Sequence, residues 1–310
     1  MLERAVDGCN LLIYSLINKY MNNINSKDIV IRRSSVDSLP KYKNLYNICF
    51  PKAAHLSSAY LQWLYQDNPS GEFVGADAYS GSEIIGQVAA IPGKYFFNGR
   101  YVRGLLAVNV AVHPKFQGRF LFKKLGLRMC EFGAEEGYEF VIGVANAAAT
   151  PGWTRQMGFQ LVQPLEARLG IGNLNINLVA AAELGQLKRT WSDKNLAWRS
   201  ANPNNPIFSF STGDRLRCYA AAKGNYLPVY SELPMQDHSH VEIKNPHFLS
   251  PFRLFLGLVP NGACKFRGYM TIPQRFRPSP LNFIYRSLTK QVPKLDKDHI
   301  NFSFLDFDAY

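Results

Sequence analysis

Between Val108 and Phe122 the chain alternates Val108, Val110 and Val112, breaks at His113 and Pro114, passes Gln117 and Gly118, and resumes as a basic segment. The β-branched alternation predicts a strand, proline stops it, and Leu121, Leu125, Met129 and Phe132 recur at helical spacing. A strand that turns tightly into a helix leaves the first-turn N–H groups without intrahelical partners, which makes the turn an anion cradle. Such a unit needs a sheet under the helix, so it restricts the chain to layered α/β folds. Lys115, Arg119, Lys123, Lys124 and Arg128 follow with no acidic residue among the cations. Cations near a helix start oppose its dipole, so this cluster points to an anionic ligand.

The 310 residues, 47% hydrophobic, suffice for one large core or two ordinary ones. The net charge of +12 suits nucleic acid, anionic lipid or polyphosphate alike and selects none of them. Cys9, Cys49, Cys130, Cys218 and Cys264 are odd in number and never at metal-ligand spacing. Free thiols, no metal and a cytoplasmic location are therefore expected. The apolar stretch from Leu11 to Ile17 is too short to span a bilayer and has neither a basic leader nor a small-residue cleavage site, so no signal peptide or transmembrane helix is expected. The segment from Leu11 to Met21 leaves contact with a membrane surface open, whereas no motif supports nucleic-acid binding.

Pattern also organises the rest. Ile29 to Arg33 reads as a strand and Tyr42 to Phe50 as a helix. Phe73 to Tyr79 and Glu83 to Ala90 form a hairpin over Gly81, and Asn98 and Gly99 mark another tight turn. Leu105 to Val112, a helix from Leu121 to Glu136 and a strand from Phe140 to Val144 complete a mixed α/β layer. The end, Ile300 to Asp308, alternates like a final strand. In the second half Trp198, Asn202, Pro203, Phe208 and Gly213 echo Trp63, Asn68, Pro69, Phe73 and Gly81.

Gln117 and Gly118, after a strand ending in Val112, His113 and Pro114, resemble the acyl-CoA motif of the GNAT acetyltransferase superfamily, Q/R-x-x-G-x-G/A. Asn146 to Phe159 is similar to a second GNAT segment, in which an asparagine precedes a short helix ending in Gly-Phe, here Gly158 and Phe159. Two signatures in the expected order are more specific than either alone. The resemblance covers residues 29–163. It implies a mixed, mostly antiparallel GNAT-type sheet flanked by helices, with 1–28 a helical extension and 164–310 a second domain, either a degenerate GNAT-like repeat or another α/β unit.

The resemblance further implies acetyl-CoA or another acyl-CoA as cosubstrate and a small-molecule amine as acceptor. Val110 and Val112 would border the acyl and pantetheine part, Gln117, Gly118, Arg119, Phe120, Leu121 and Phe122 would cradle the pyrophosphate, Lys123 or Lys124 would reach the remaining phosphates, and Asn146 would position the pantetheine arm. Phe120 and Phe122 stand where the family has Gly and Gly or Ala, and the strand from Val108 to Val112 carries Asn109 where many relatives have a glutamate base. Catalytic candidates are then Asp77 and Glu83 beside a hairpin, Thr154 where relatives place a tyrosine acid, and Tyr310, since chain ends enter the site of some tandem relatives. Lys115 and Arg119 would suit an acidic acyl carrier protein as donor, and a non-catalytic acyl-CoA sensor or scaffold is the reading from another class.

Overall fold

The computed structural model describes residues 29–53, 55–224, 226–235, 248–289 and 294–307. The expected N-terminal extension, residues 1–28, and with it the proposed interfacial segment, lies outside the described residues.

Alternating patterns become strands where they were expected, and local chemistry sets their ends. In chain order the first part holds β1 (Ile29–Arg33), α1 (Leu39–Cys49), α2 (Ser58–Tyr65), β2 (Val74–Ser80), β3 (Glu83–Phe97), β4 (Arg100–Val112), α3 (Leu121–Glu135), β5 (Phe140–Ala145) and β6 (Gln160–Pro164). The tight turns at Gly81 and Asn98 use the left-handed backbone, with φ of 61° and 48°. β3 runs seven residues past the expected Ala90, through a proline. Pro92 is tolerated because β2 pairing ends opposite Ala90 and the next neighbour starts only at Tyr95, so one side of β3 is open there.

Helices cover both faces of this sheet. Tyr42, Leu45 and Tyr46 of α1 and Leu61, Leu64 and Tyr65 of α2 fill one core, while Leu125, Met129 and Cys130 of α3 fill the other. Leu125 and Met129 are fully buried, and removing each from water contributes about 1.5–3 kcal/mol.

The second part continues with β7 (Glu166–Ile171), α4 (Leu178–Leu184), β8 (Leu187–Arg189), α5 (Asp193–Ser200), β9 (Phe208–Thr212), β10 (Arg215–Lys223), β11 (Leu227–Pro234), β12 (Phe252–Leu258), β13 (Tyr269–Thr271), β14 (Asn282–Ser287) and β15 (Ile300–Ser303). The strand order β6-β14-β5-β4-β3-β8-β15-β12-β11-β10-β9 joins both halves in one sheet. β14 comes from the C-terminal half yet lies between β5 and β6, antiparallel to each. Expected as a strand to Asp308, the C-terminal run instead stops at Ser303, because the Asp306 carboxylate accepts the Ser303 N–H at 2.6 Å and turns the chain.

The sequence echo has a structural counterpart. Ser57 and Ser192 cap α2 and α5 by accepting N–H bonds from Tyr60 and Asn195. Trp63 and Trp198 stack at 4.8 Å, and each indole N–H donates to the other's carbonyl at 2.8 Å. Asn68 accepts from the Ser70 N–H and Asn202 from the Asn204 N–H, and the hairpins that follow turn at Gly81 and Gly213, with φ of 61° and 62°. The same cap, tryptophan, Asx turn and hairpin thus meet as a reciprocal pair.

Candidate active site

The parallel pairing of β4 with β5 covers only Leu105, Leu106 and Ala107 opposite Val141, Ile142 and Gly143. Both strands continue beyond that point, so they diverge. A bulge drives this: from Val88 to Ala90 on β3 the partner runs from Val110 back to Ala107, one residue more than β3 supplies. The extra residue at Val108 and Asn109 bends β4 away from β5. A groove of about 760 Å³ opens in the gap, bordered by Ala107, Val108, Val110 and Val112 on one strand and by Val144, Ala145 and Asn146 on the other.

At the mouth of the groove the chain enters α3. Gly118 (φ 76°) and Phe120 (φ 55°) both adopt the left-handed conformation, and no side chain caps the helix. The first intrahelical bond runs from the Lys124 N–H to the Phe120 carbonyl, which leaves the Leu121, Phe122 and Lys123 N–H groups outside the ladder. Free N–H groups at a helix start favour an anion there. Phe120 holds a conformation that costs a non-glycine residue roughly 1–2 kcal/mol, and its ring is 68% exposed. Phe122 turns inward and meets Trp153 edge to face at 5.2 Å. Gly152 makes room for it: a Cβ there would lie 2.4 Å from the ring. The two aromatic substitutions therefore leave the cradle's backbone uncovered, one ring going to solvent and the other to the core. Replacing Gly152 with Val is expected to cost about 1–3 kcal/mol by overpacking, with partial recovery in a Gly152→Val, Phe122→Ala double variant, read by chemical denaturation.

The other expected ligand-side residues divide. Gln117 borders the groove, its Nε2 donating to the Val112 carbonyl at 3.1 Å. Asn146 also borders it, and its Oδ1 accepts the Ala149 N–H at 2.9 Å, capping the segment that follows. Leu121 is in the core at 3% exposure. Arg119 lies on the far side of the loop, above the Phe116 ring, in a second groove of about 780 Å³ shared with Lys41, Lys115 and Glu83. His113 accepts the Lys115 N–H through Nδ1 and caps the turn after β4.

Of the catalytic candidates, Asp77, Glu83 and Thr154 lie away from the groove wall. Asp77 is fully buried, accepting hydrogen bonds from the Ser34 hydroxyl at 2.6 Å and the Tyr42 hydroxyl at 2.7 Å, and it does not border the groove. Glu83 sits at the β2–β3 hairpin tip, exposed, on the second groove. Thr154 lies in a π-helical turn (Gly152–Gln156), where its hydroxyl donates to the Thr150 carbonyl at 2.9 Å, and it too is absent from the groove wall. Tyr310 lies outside the described residues, although Phe307 reaches a small cavity beside Val108, Val144 and Asn146.

Burial raises the Asp77 carboxyl to about 6, opposed by hydrogen bonds from Ser34 and Tyr42. Asp306 is likewise raised to about 6 by burial. A carboxyl whose folded-state value lies above its unfolded one adds stability at low pH that is lost as pH rises. The window here runs from about 4 to 6. Each group is worth roughly 3 kcal/mol across it at about 1.4 kcal/mol per unit. Denaturation midpoints should therefore fall between pH 4.5 and 7, and Asp77→Asn should remove about half of that slope.

Residues 30–162 match a family model described as an acetyltransferase (GNAT) domain. This stretch is a GNAT acetyltransferase domain. The match takes in less than half of the chain, and the family it names is one of acetyltransferases. Solved structures extend the likeness past the matched domain. A GCN5-related N-acetyltransferase from Anabaena variabilis is 12% identical at a TM-score of 0.57, over 84% of this chain and 73% of that one. One from Kribbella flavida is 14% identical at 0.57, over 85% and 72%, and Eis1 from Mycobacterium abscessus 11% identical at 0.54, over 84% and 73%. At these identities the likeness is one of fold. A comparison with curated proteins gave no match.

The groove also has a wall that the motifs did not announce. Cys49, Phe50, Ala53, His55 and Leu56, from the end of α1 and the segment before α2, close it opposite the gap. Burial raises the Cys49 thiol above its ordinary value, so it is not an activated nucleophile. From the C-terminal half, Ile284 lines the groove, the Ser279 hydroxyl accepts the Ala147 N–H at 3.1 Å, and Asn282 Nδ2 donates to the Thr150 hydroxyl at 2.8 Å. No sequence signal ties these residues to the site, because only the insertion of β14 brings them there.

Proposed function

We propose that the protein is an N-acyltransferase, acetyl-CoA being its simplest donor, that acylates the amine of a small acceptor such as an amino sugar or amino acid derivative by direct attack. The observation that carries this reading is the β4–β5 gap, which ends at an uncapped helix N-terminus. A pantetheine arm fits along Val110, Val112 and Asn146, and the pyrophosphate at the backbone of Gln117 to Phe122, with Lys123 nearby. The amine nitrogen attacks the thioester carbonyl, the C–N bond forms as the C–S bond breaks, and the thiolate takes a proton from solvent.

A base is needed to take the amine proton. His55 has the suitable chemistry on the groove wall, in place of Asp77 and Glu83. Calorimetry with acetyl-CoA, followed by thiol release over a panel of amines, tests the reading. Binding with turnover supports it. Binding without turnover on a broad panel favours a sensor or scaffold, and no binding removes both. The second groove, with Lys41, Lys115 and Arg119 beside the same loop, favours a further reading in which acyl carrier protein is the donor. In that case acyl carrier protein should outperform acetyl-CoA in the same assay, and Lys115→Glu should abolish the difference.

A further inference from the structure

A chain of buried polar groups ends at the groove. Asn109, in the β4 bulge, borders the groove and donates from Nδ2 to the Tyr65 hydroxyl of α2 at 2.8 Å. The Tyr65 and Tyr46 hydroxyls are 2.7 Å apart, and Tyr46 donates to Gln87 Oε1. Gln87 is the cross-strand partner of Asp77. The Tyr46 proton is used on Gln87, so the contact between the tyrosines is donated by Tyr65, whose oxygen is left to accept from Asn109. Tyr46, Tyr65 and Gln87 are all buried, which makes a broken chain expensive.

The consequence lies at the open end. With Nδ2 turned to Tyr65, Asn109 Oδ1 is the amide's remaining polar atom, and it has no partner among the described residues. Across the groove stand Phe50 and Leu56, and no Asp, Glu, Lys or Arg borders it among the described residues. A polycation entering this groove would lose hydration with no opposite charge to replace it, whereas a monoamine can enter neutral.

Resting on the N-acyltransferase reading, we propose that Asn109 is an acceptor-binding residue whose Oδ1 accepts an N–H from the attacking amine, and that the small acceptors named above narrow, amino sugars left out, to a primary monoamine with an apolar body seated against Phe50 and Leu56. A neutral primary amine has two N–H groups and one lone pair, so holding one N–H on a fixed oxygen aims the lone pair. Asn109 keeps its own protons, and the amine proton leaves to His55 or water. Tyr65 acts through Asn109 and is a positioning residue.

The test uses the full chain with acetyl-CoA and three probes: 2-phenylethylamine, hexylamine and the polycation kanamycin. Thiol release gives kcat and KM for each amine, and calorimetry gives the acetyl-CoA dissociation constant. Both monoamines should exceed kanamycin in kcat/KM by about 100-fold or more. Asn109→Ala should raise the monoamine KM about 10-fold, the effect of one lost hydrogen bond, while acetyl-CoA affinity stays within about twofold. Tyr65→Phe should move the same KM in the same direction by less. The proposal is overturned if acetyl-CoA binds and neither monoamine is acetylated, if kanamycin matches them, or if Asn109→Ala leaves their KM unchanged. Failure of acetyl-CoA to bind at all removes the N-acyltransferase reading instead, and this proposal with it.

Discussion

A chain ending at residue 163 should neither fold stably nor bind acetyl-CoA, although it contains the whole segment matched by the family model. It lacks β14, and with it Phe283, Ile284 and Tyr285, which are at most 3% exposed in the intact chain. Burying three such side chains contributes roughly 5–9 kcal/mol, comparable with the whole stability of an ordinary domain, about 5–15 kcal/mol. The truncation also leaves β5 and β6 as unpaired edges, where exposed backbone groups invite aggregation. Near-ultraviolet circular dichroism and calorimetry of residues 29–163 beside the full chain check this. A soluble fragment with a sharp melting transition and full acetyl-CoA affinity would show that β14 is dispensable, and that the halves are independent units.

Replacing His55 with Ala should lower kcat by about 10²–10⁴-fold, the usual range for losing a general base, with acetyl-CoA affinity unchanged. The small binding effect follows from its position on the wall opposite the β4–β5 gap rather than in the cradle. The loss should be largest near neutral pH and shrink at high pH, where the acceptor amine is already unprotonated. Rates measured from pH 6 to 10 decide it. A uniform tenfold or smaller loss at every pH would assign His55 to packing and leave proton removal to water.

How much of this was legible in the sequence depended on whether the signal was local. Gln117, Gly118 and the apolar spacing of Leu121, Leu125 and Met129 announced the loop and the helix, because turn chemistry and helical period are written in neighbouring residues. The fate of Phe120 and Phe122 was not. Their effect on the cradle depended on a left-handed φ at Phe120 and on the empty space at Gly152, a residue thirty positions downstream of Phe122 in the chain. Asp77 looked accessible because it sits on a hairpin, yet Ser34 and Tyr42 from β1's end and α1 enclose it. Glu83 is exposed as expected, but the hairpin points it to the second groove.

Two features were invisible for a deeper reason. The β4 bulge adds one residue without changing composition, so nothing in Val108 to Val112 marks where the strand bends. The insertion of β14 pairs residues more than a hundred apart, and its alternation says only that it is a strand. By contrast, the faint echo of Trp63 in Trp198 marked a reciprocal pair, because an indole buried against a second indole needs an acceptor for its N–H and each finds it in the other's backbone.

The central claim is that acyl-CoA occupies the β4–β5 gap. The most direct measurement is the acetyl-CoA dissociation constant, by calorimetry, for the intact chain and for Val144→Trp, which fills the gap from β5. Val144 is only partly buried, so the variant should stay folded by circular dichroism. The account predicts a dissociation constant of about 1 μM to 1 mM, the usual range for enzyme substrates, and at least a 100-fold loss in Val144→Trp. No binding to the intact chain, or equal binding to a folded Val144→Trp, would contradict it.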